Sequence, residues 1–171
     1  MPIDRSVIGK EMGGSTLLMS RSRLRHFANA IGQTDPVYTD LDAAKQAGHR
    51  DLPVPPTFIF GIDLEGDSFA FLDDLGVDLR TVLHGEQGFV YHQMAHAGDE
   101  LTTTGRVVDV YEKRGGLLEF VVRQIDVTNQ DGALVAQMRS TLVVQNLAAA
   151  PSSTSSTSST AGPAGPAGKE A

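Results

Sequence analysis

Gln33 and Tyr38 lie five residues apart in Gly32-Gln33-Thr34-Asp35-Pro36-Val37-Tyr38, on what reads as a loop between two helices. Both side chains form hydrogen bonds readily, and neither moves protons well near neutrality. A carboxamide takes up no proton at physiological pH, and a phenol titrates near 10 in water. The pair suits a polar wall against a ligand better than an acid–base couple. His84, within His84-Gly85-Glu86-Gln87, is a hydrogen-bonding group on an expected strand, able to serve a ligand or a neighbouring loop. Asp63, Glu65 and Asp67 place three carboxylates on one helical segment, where they are expected to mark its exposed edge or fraying end. His26, His49, His84, His92 and His96 show no ligand spacing, so no metal is expected. His92 and His96 flank a turn and are expected to face solvent. The chain has no cysteine, which excludes disulfides, thiolate–metal sites and a cysteine nucleophile.

The elements that must position these groups can be read from periodicity. Residues 15–19 suit a first strand. Ser20 or Ser22 can cap a helix whose apolar face is Leu24, Phe27, Ala28 and Ile31, with Gly32 as its stop. Asp35-Pro36 breaks helical geometry. Thr39-Asp40 can cap a second short helix running through Ala47 to Gly48. Pro55-Pro56 then stiffens the chain before Thr57, an expected N-cap for a helix over residues 57–72. That segment is apolar on most sides, through Phe58, Phe60, Ile62, Leu64, Phe69, Phe71 and Leu72, which predicts a buried helix. Gly61 and Gly66 weaken it and point to close backbone contact with a sheet. Strands are expected over residues 82–94, 101–112, 117–128 and 133–145, with turns at Gly98-Asp99, Gly115-Gly116 and Asp131-Gly132. In the last strand Leu134, Ala136, Met138, Leu142 and Val144 share one face, the pattern of a half-buried antiparallel sheet. A helical block followed by a run of strands is α+β.

Composition narrows the function. A chain of 171 residues has room for one domain with a core. Its formal charge of -7 argues against nucleic acid or an anionic membrane as partner. No apolar run is long enough to span a bilayer, and the opening Met1-Pro2-Ile3-Asp4-Arg5 lacks a signal pattern, so a cytoplasmic protein is expected. After residue 147 the chain turns to Ser, Thr, Pro, Gly and Ala without apolar periodicity. Residues 1–147 are therefore read as the folded domain and 148–171 as a disordered tail.

Several stretches together resemble the MaoC-like (R)-specific enoyl-thioester hydratases and dehydratases. The family segment reads Gly-Asp-x-Asn-Pro-hydrophobic-His followed by Ala. Here Gly32, Pro36 and Ala43 or Ala44 match it. Gln33 stands at the family's catalytic Asp and Tyr38 at its catalytic His. Pro55-Pro56-Thr57-Phe58, His84-Gly85-Glu86-Gln87 and Ala97-Gly98-Asp99-Glu100-Leu101 resemble the N-terminal-type branch of the same family, which lacks the dyad.

The resemblance implies a single hot-dog domain, an antiparallel sheet wrapped around a central helix. It implies an acyl-CoA or acyl-ACP ligand, no cofactor, and pairing through edge strands with a second hot-dog chain that supplies the Asp and His. Tyr38, Pro56, Thr57 and His84 are then expected to touch substrate, with no catalytic residue in the chain itself. A buried helix N-terminus would hold the thioester oxygen. Hot-dog thioesterases use a carboxylate on the central helix to activate water. A self-sufficient homodimeric hydratase or thioesterase using groups such as His84 or Asp63 is therefore the alternative, beside an acyl-binding module without catalysis.

Overall fold

The computed structural model describes residues 2–65 and 69–146. Four helices and five strands are described: β1 (Thr16–Leu18), α1 (Arg21–Ala30), α2 (Leu41–Gln46), α3 (Phe58–Asp63), α4 (Ala70–Asp74), β2 (Val82–Tyr91), β3 (Glu100–Lys113), β4 (Leu118–Thr128) and β5 (Leu134–Gln145). The strands form one antiparallel sheet in the order β1-β3-β4-β5-β2. This is the expected α+β arrangement.

Ser20 caps α1, its hydroxyl accepting from the Arg23 N–H. Leu24 and Ala28 turn inward from that helix. Asp40 caps α2 by accepting from the Ala43 N–H, and Ala44 is buried. In β3 the buried positions run 101, 103, 105 and 107, then resume at 110. A bulge between Val107 and Asp109 explains the change of phase, since one extra residue reverses which face a side chain takes. Of the inward pattern expected for the last strand, Ala136, Met138, Leu142 and Val144 are buried in β5 and Leu134 is part-exposed, while Val135, Ser140 and Thr141 are buried as well.

Two apolar clusters hold the sheet to the helices. The first joins Leu24, Phe58, Ile59 and Ile62 to Leu101, Ile125, Val127 and Met138. The second joins Phe71 and Leu72 to Val107, Val121, Leu142 and Val144. Each fully buried Leu, Ile or Phe contributes about 1.5–3 kcal/mol by leaving water.

The expected helix over 57–72 is two short ones. Leu64 N–H donates to Gly61 O and Glu65 N–H to Ile62 O, the tighter bonds of a helix end. The next residues are Gly66-Asp67-Ser68, all weak helix formers, and they lie outside the described residues. Thr57 precedes α3 but makes no capping bond and has helical backbone angles, φ -78 and ψ -6. A turn already begins at Pro55, whose carbonyl accepts from Phe58 N–H at 2.9 Å. Nothing lies within 4 Å of where a Cβ on Gly61 would stand, so close approach to the sheet does not account for that glycine. Residues 148–171, read as a tail, lie outside the described residues.

Strand β2 is the far edge of the sheet and pairs only with β5 among the described strands. A bulge between His84 and Glu86 interrupts that pairing at Gly85. A Cβ there would meet Val143 Cγ2 at 2.8 Å, so only glycine lets the strands stay close. No helix among the described residues is long and apolar enough to cross a membrane.

Candidate functional site

The loop after α1 holds the first two candidates. Gln33 is half-buried, its N–H donates to Ala28 O at 2.9 Å, and its Oε1 accepts from the Asp35 N–H at 3.0 Å. Asp35 in turn accepts from the Val37 N–H at 3.0 Å, capping a single helical turn at Pro36–Tyr38. Gln33 is thus committed to the backbone of its own loop. Tyr38 is half-buried, and its hydroxyl has no hydrogen-bond partner among the described residues.

The other three candidates lie elsewhere in the sequence and do not share a described cavity with them. Pro56 lines a cavity of about 370 Å³ with Val54, Ile59, Tyr91, Met94 and Ala95 among its walls. Tyr91 Oη donates to Pro56 O at 2.7 Å, fixing the end of β2 to the start of α3. Partial burial pushes the Tyr91 phenol above its ordinary value, so it stays a donor at neutral pH. Thr57 is exposed. His84 lines a different cavity, of about 170 Å³, with its ring 5.3 Å from that of Phe60 and its Nε2 3.4 Å from Gln87 Oε1. Gln33 and Tyr38 line neither cavity. Tyr91 was not among the sequence candidates, because an aromatic at a strand end reads as sheet surface.

The carboxylates part company. Asp63 is buried, against the expectation of an exposed edge, and pairs with Arg123. Arg123 Nη1 and Nη2 donate to it at 3.1 and 3.4 Å, and Nη2 also reaches Met12 O at 3.3 Å. The guanidinium carbon lies 4.2 Å from the centre of the Phe71 ring. Burial pushes the Asp63 carboxyl up from 3.8 despite the opposing pull of Arg123. A carboxylate held this way is a poor free base. Glu65 meets Arg23 at 2.6 Å at the surface. Asp67 lies outside the described residues.

His96 corrects another expectation. It is 9% exposed, and its Nε2 lies 3.1 Å from His49 Nδ1. Burial, then the charge of Arg50 and the neighbouring His49, depress its pKa. The turn that follows is a structural knot. Asp99 accepts from the His96 N–H at 2.8 Å and from Arg50 and Gln130, while Gly98 N–H donates to Met19 O and Ala97 N–H to Leu52 O at 2.8 Å each. His92 is exposed, as expected. No cluster of three or more metal-ligating side chains occurs among the described residues.

Comparison with known proteins places this geometry. The family described as FAS1-like, dehydratase domain region, matches residues 6–138. A UPF0336 protein of Saccharopolyspora erythraea is 35% identical over 154 residues, covering 88% of this chain and 97% of its own length. The chain belongs to the MaoC-like hot-dog dehydratase family. Among solved structures, the 3R-hydroxyacyl-ACP dehydratase complex HadBC of Mycobacterium tuberculosis aligns at a TM-score of 0.70 and 25% identity, over 83% of this chain and 99% of that one. The ChsH1–ChsH2 complex of the same organism aligns at 0.65 and 21%, over 80% and 89%. The (R)-hydratase PhaJ1 of Pseudomonas aeruginosa aligns at 0.62 and 16%, over 81% of each. As a hot-dog dehydratase-family chain, the protein keeps Gly32, Pro36 and Ala43 or Ala44 of the signature loop, with Asp35 where the family segment has Asn. It differs at the two positions where the family resemblance puts the proton-transfer groups.

Proposed function

We propose that this chain is a substrate-binding, non-catalytic subunit of an (R)-specific enoyl-CoA or enoyl-ACP hydratase/dehydratase acting in the cytoplasm. The observation that carries this is the state of Gln33. It occupies the position of the family's catalytic Asp, it has no proton to exchange near neutrality, and its Oε1 is engaged by Asp35 N–H. Tyr38 at the His position offers a hydroxyl for hydrogen bonding, not a base. Hydration needs a group that takes a proton from water and one that delivers a proton to the α-carbon, and in this proposal a partner chain supplies both groups.

The free edge of β2 is where we place that partner. Leu83, Val90, Tyr91 and Met94 are exposed along it and just beyond it. An exposed apolar edge strand is a template for another strand. HadBC and ChsH1–ChsH2 are heterocomplexes with this fold, which supports a second hot-dog chain as the occupant. The Pro56 cavity, at the end of β2 and the start of α3, would then face the junction, and Pro56 and Thr57 with it. A thioesterase using Asp63 is disfavoured by the Arg123 pair. An acyl-binding module without catalysis predicts no turnover with any partner.

The test is purification of the chain alone and with a hot-dog chain that carries Gly-Asp-x-Asn-Pro-x-His, followed by hydration assays on crotonyl-CoA and longer enoyl-CoAs. Turnover only in the mixture supports the proposal. Turnover by the pure chain refutes it.

A further inference from the structure

The cavity beside His84 has a floor unsuited to a plain alkyl chain. Its volume of about 170 Å³ is close to the ~150 Å³ of an apolar site that accepts benzene, so about six non-hydrogen atoms fit. Leu64 and Phe69 line it and are part-exposed. Asp63, Arg123 and Ser140 are each more than nine-tenths buried and form its floor.

The floor's hydrogen-bonding capacity is not used up. Asp63 accepts only from Arg123 among the described residues, although a carboxylate offers about four acceptor sites. The Arg123 Nε–H is buried without a partner. The Ser140 hydroxyl has no partner among the described residues either. Arg123 and Ser140 of this floor stand on β4 and β5 of the sheet, and Asp63 on α3. A Cβ on Gly105 would lie 2.7 Å from Arg123 Nη2 and 2.9 Å from Met12 O, so glycine at that position makes room for the guanidinium.

Charge and donor count select the ligand class. The ion pair is neutral overall. An added anion would meet Asp63, and an added cation would compete with Arg123. An alkyl end would strip water from the floor and return no hydrogen bond. A hydroxyl can donate to a spare lone pair of Asp63 and accept from Ser140. An ether or ketone can only accept. We infer that this cavity takes the hydroxylated end of an apolar chain. The inference rests on the proposed function only in making that chain an acyl chain.

The test titrates the isotope-labelled full chain with n-hexanol and with methyl n-pentyl ether, isomers that differ in the one donor. Amide signals of His84, Ser140 and Leu142 report the cavity by nuclear magnetic resonance. Hexanol is expected to shift them and to bind about tenfold more tightly than the ether, the factor that one hydrogen bond to a charged group supplies. Equal affinities overturn the inference. So does the absence of shifts with either compound, which leaves the cavity to water. In Asp63→Leu/Arg123→Met the preference for hexanol is expected to disappear, and its persistence there overturns the assignment to this floor. The wild-type ratio decides the matter should the double variant not fold. Failure of the functional proposal shows differently, as no binding of crotonyl-CoA while the hexanol response remains.

Discussion

Replacing Arg123 by Met tests the buried ion pair and the fold around it. The side chains of Arg123 and Asp63 are 5% and 7% exposed, so solvent cannot take over the role of either partner. Arg123→Met leaves Asp63 buried without its counter-charge, which costs about 3–5 kcal/mol. It also removes the stack of the guanidinium on Phe71. For a chain of this size about 2–4 °C of Tm accompanies each kcal/mol, so a fall of roughly 6–20 °C is expected at pH 7 by calorimetry. The double variant Asp63→Leu/Arg123→Met removes both charges and should recover most of that loss, since well-packed apolar replacements for a buried pair are often neutral or better. The pH dependence has a definite sign. Burial raises the Asp63 pKa above 3.8, and Arg123 opposes that rise. A group with a raised folded-state pKa contributes stability fully present below its unfolded pKa and lost as pH rises through the folded one. Without Arg123 that loss is larger. The deficit of Arg123→Met relative to the double variant should therefore grow from pH 4 to pH 7. A deficit under about 1 kcal/mol, or one unchanged across that range, would refute the reasoning.

Three further outcomes are expected. Gly61→Ala should raise stability by roughly 0.5–1 kcal/mol in chemical denaturation, because the helix gains propensity and the site is open; a loss would mean that a neighbour closes on it. Because the folded pKa of His96 lies below 6.5, the unfolded chain binds more protons just under that pH and stability falls on acidification through it; His96→Phe should flatten Tm against pH between 7 and 5, and an unchanged slope would place the titration elsewhere. Gln33→Ala should cost about 1 kcal/mol of stability through the lost bond to Asp35 N–H, and it should reduce turnover of the assembled complex only modestly, as should Tyr38→Phe.

Local patterns carried most of the fold. The alternation in 134–145, the capping types Ser20 and Asp40 and the glycine turns all report on near neighbours, and the observed elements follow them within a few residues. Long-range pairings were not legible. Asp63 and Arg123 stand 60 residues apart, and a carboxylate on a helix reads as solvent-facing until the partner that admits it to the core is known. His49 and His96, 47 apart, raise the same difficulty. The break after Leu64 was legible in Gly66-Asp67-Ser68, but the apolar residues on either side gave a continuous buried stripe and masked it. At the candidate site, residue type alone marked Gln33 and Tyr38 as poor proton carriers near neutrality. Whether their side chains face a ligand or the loop depends on backbone geometry, and the Gln33–Asp35 bond supplied the answer for one of them.

In the proposed function this chain binds substrate and leaves proton transfer to a partner. Initial-rate hydration of crotonyl-CoA by the purified full chain, measured before and after adding a hot-dog chain with the intact Asp and His, tests it most directly. No turnover is expected from the chain alone, and turnover is expected in the mixture. Robust turnover by the chain alone, abolished by Gln33→Ala or Tyr38→Phe, would contradict it.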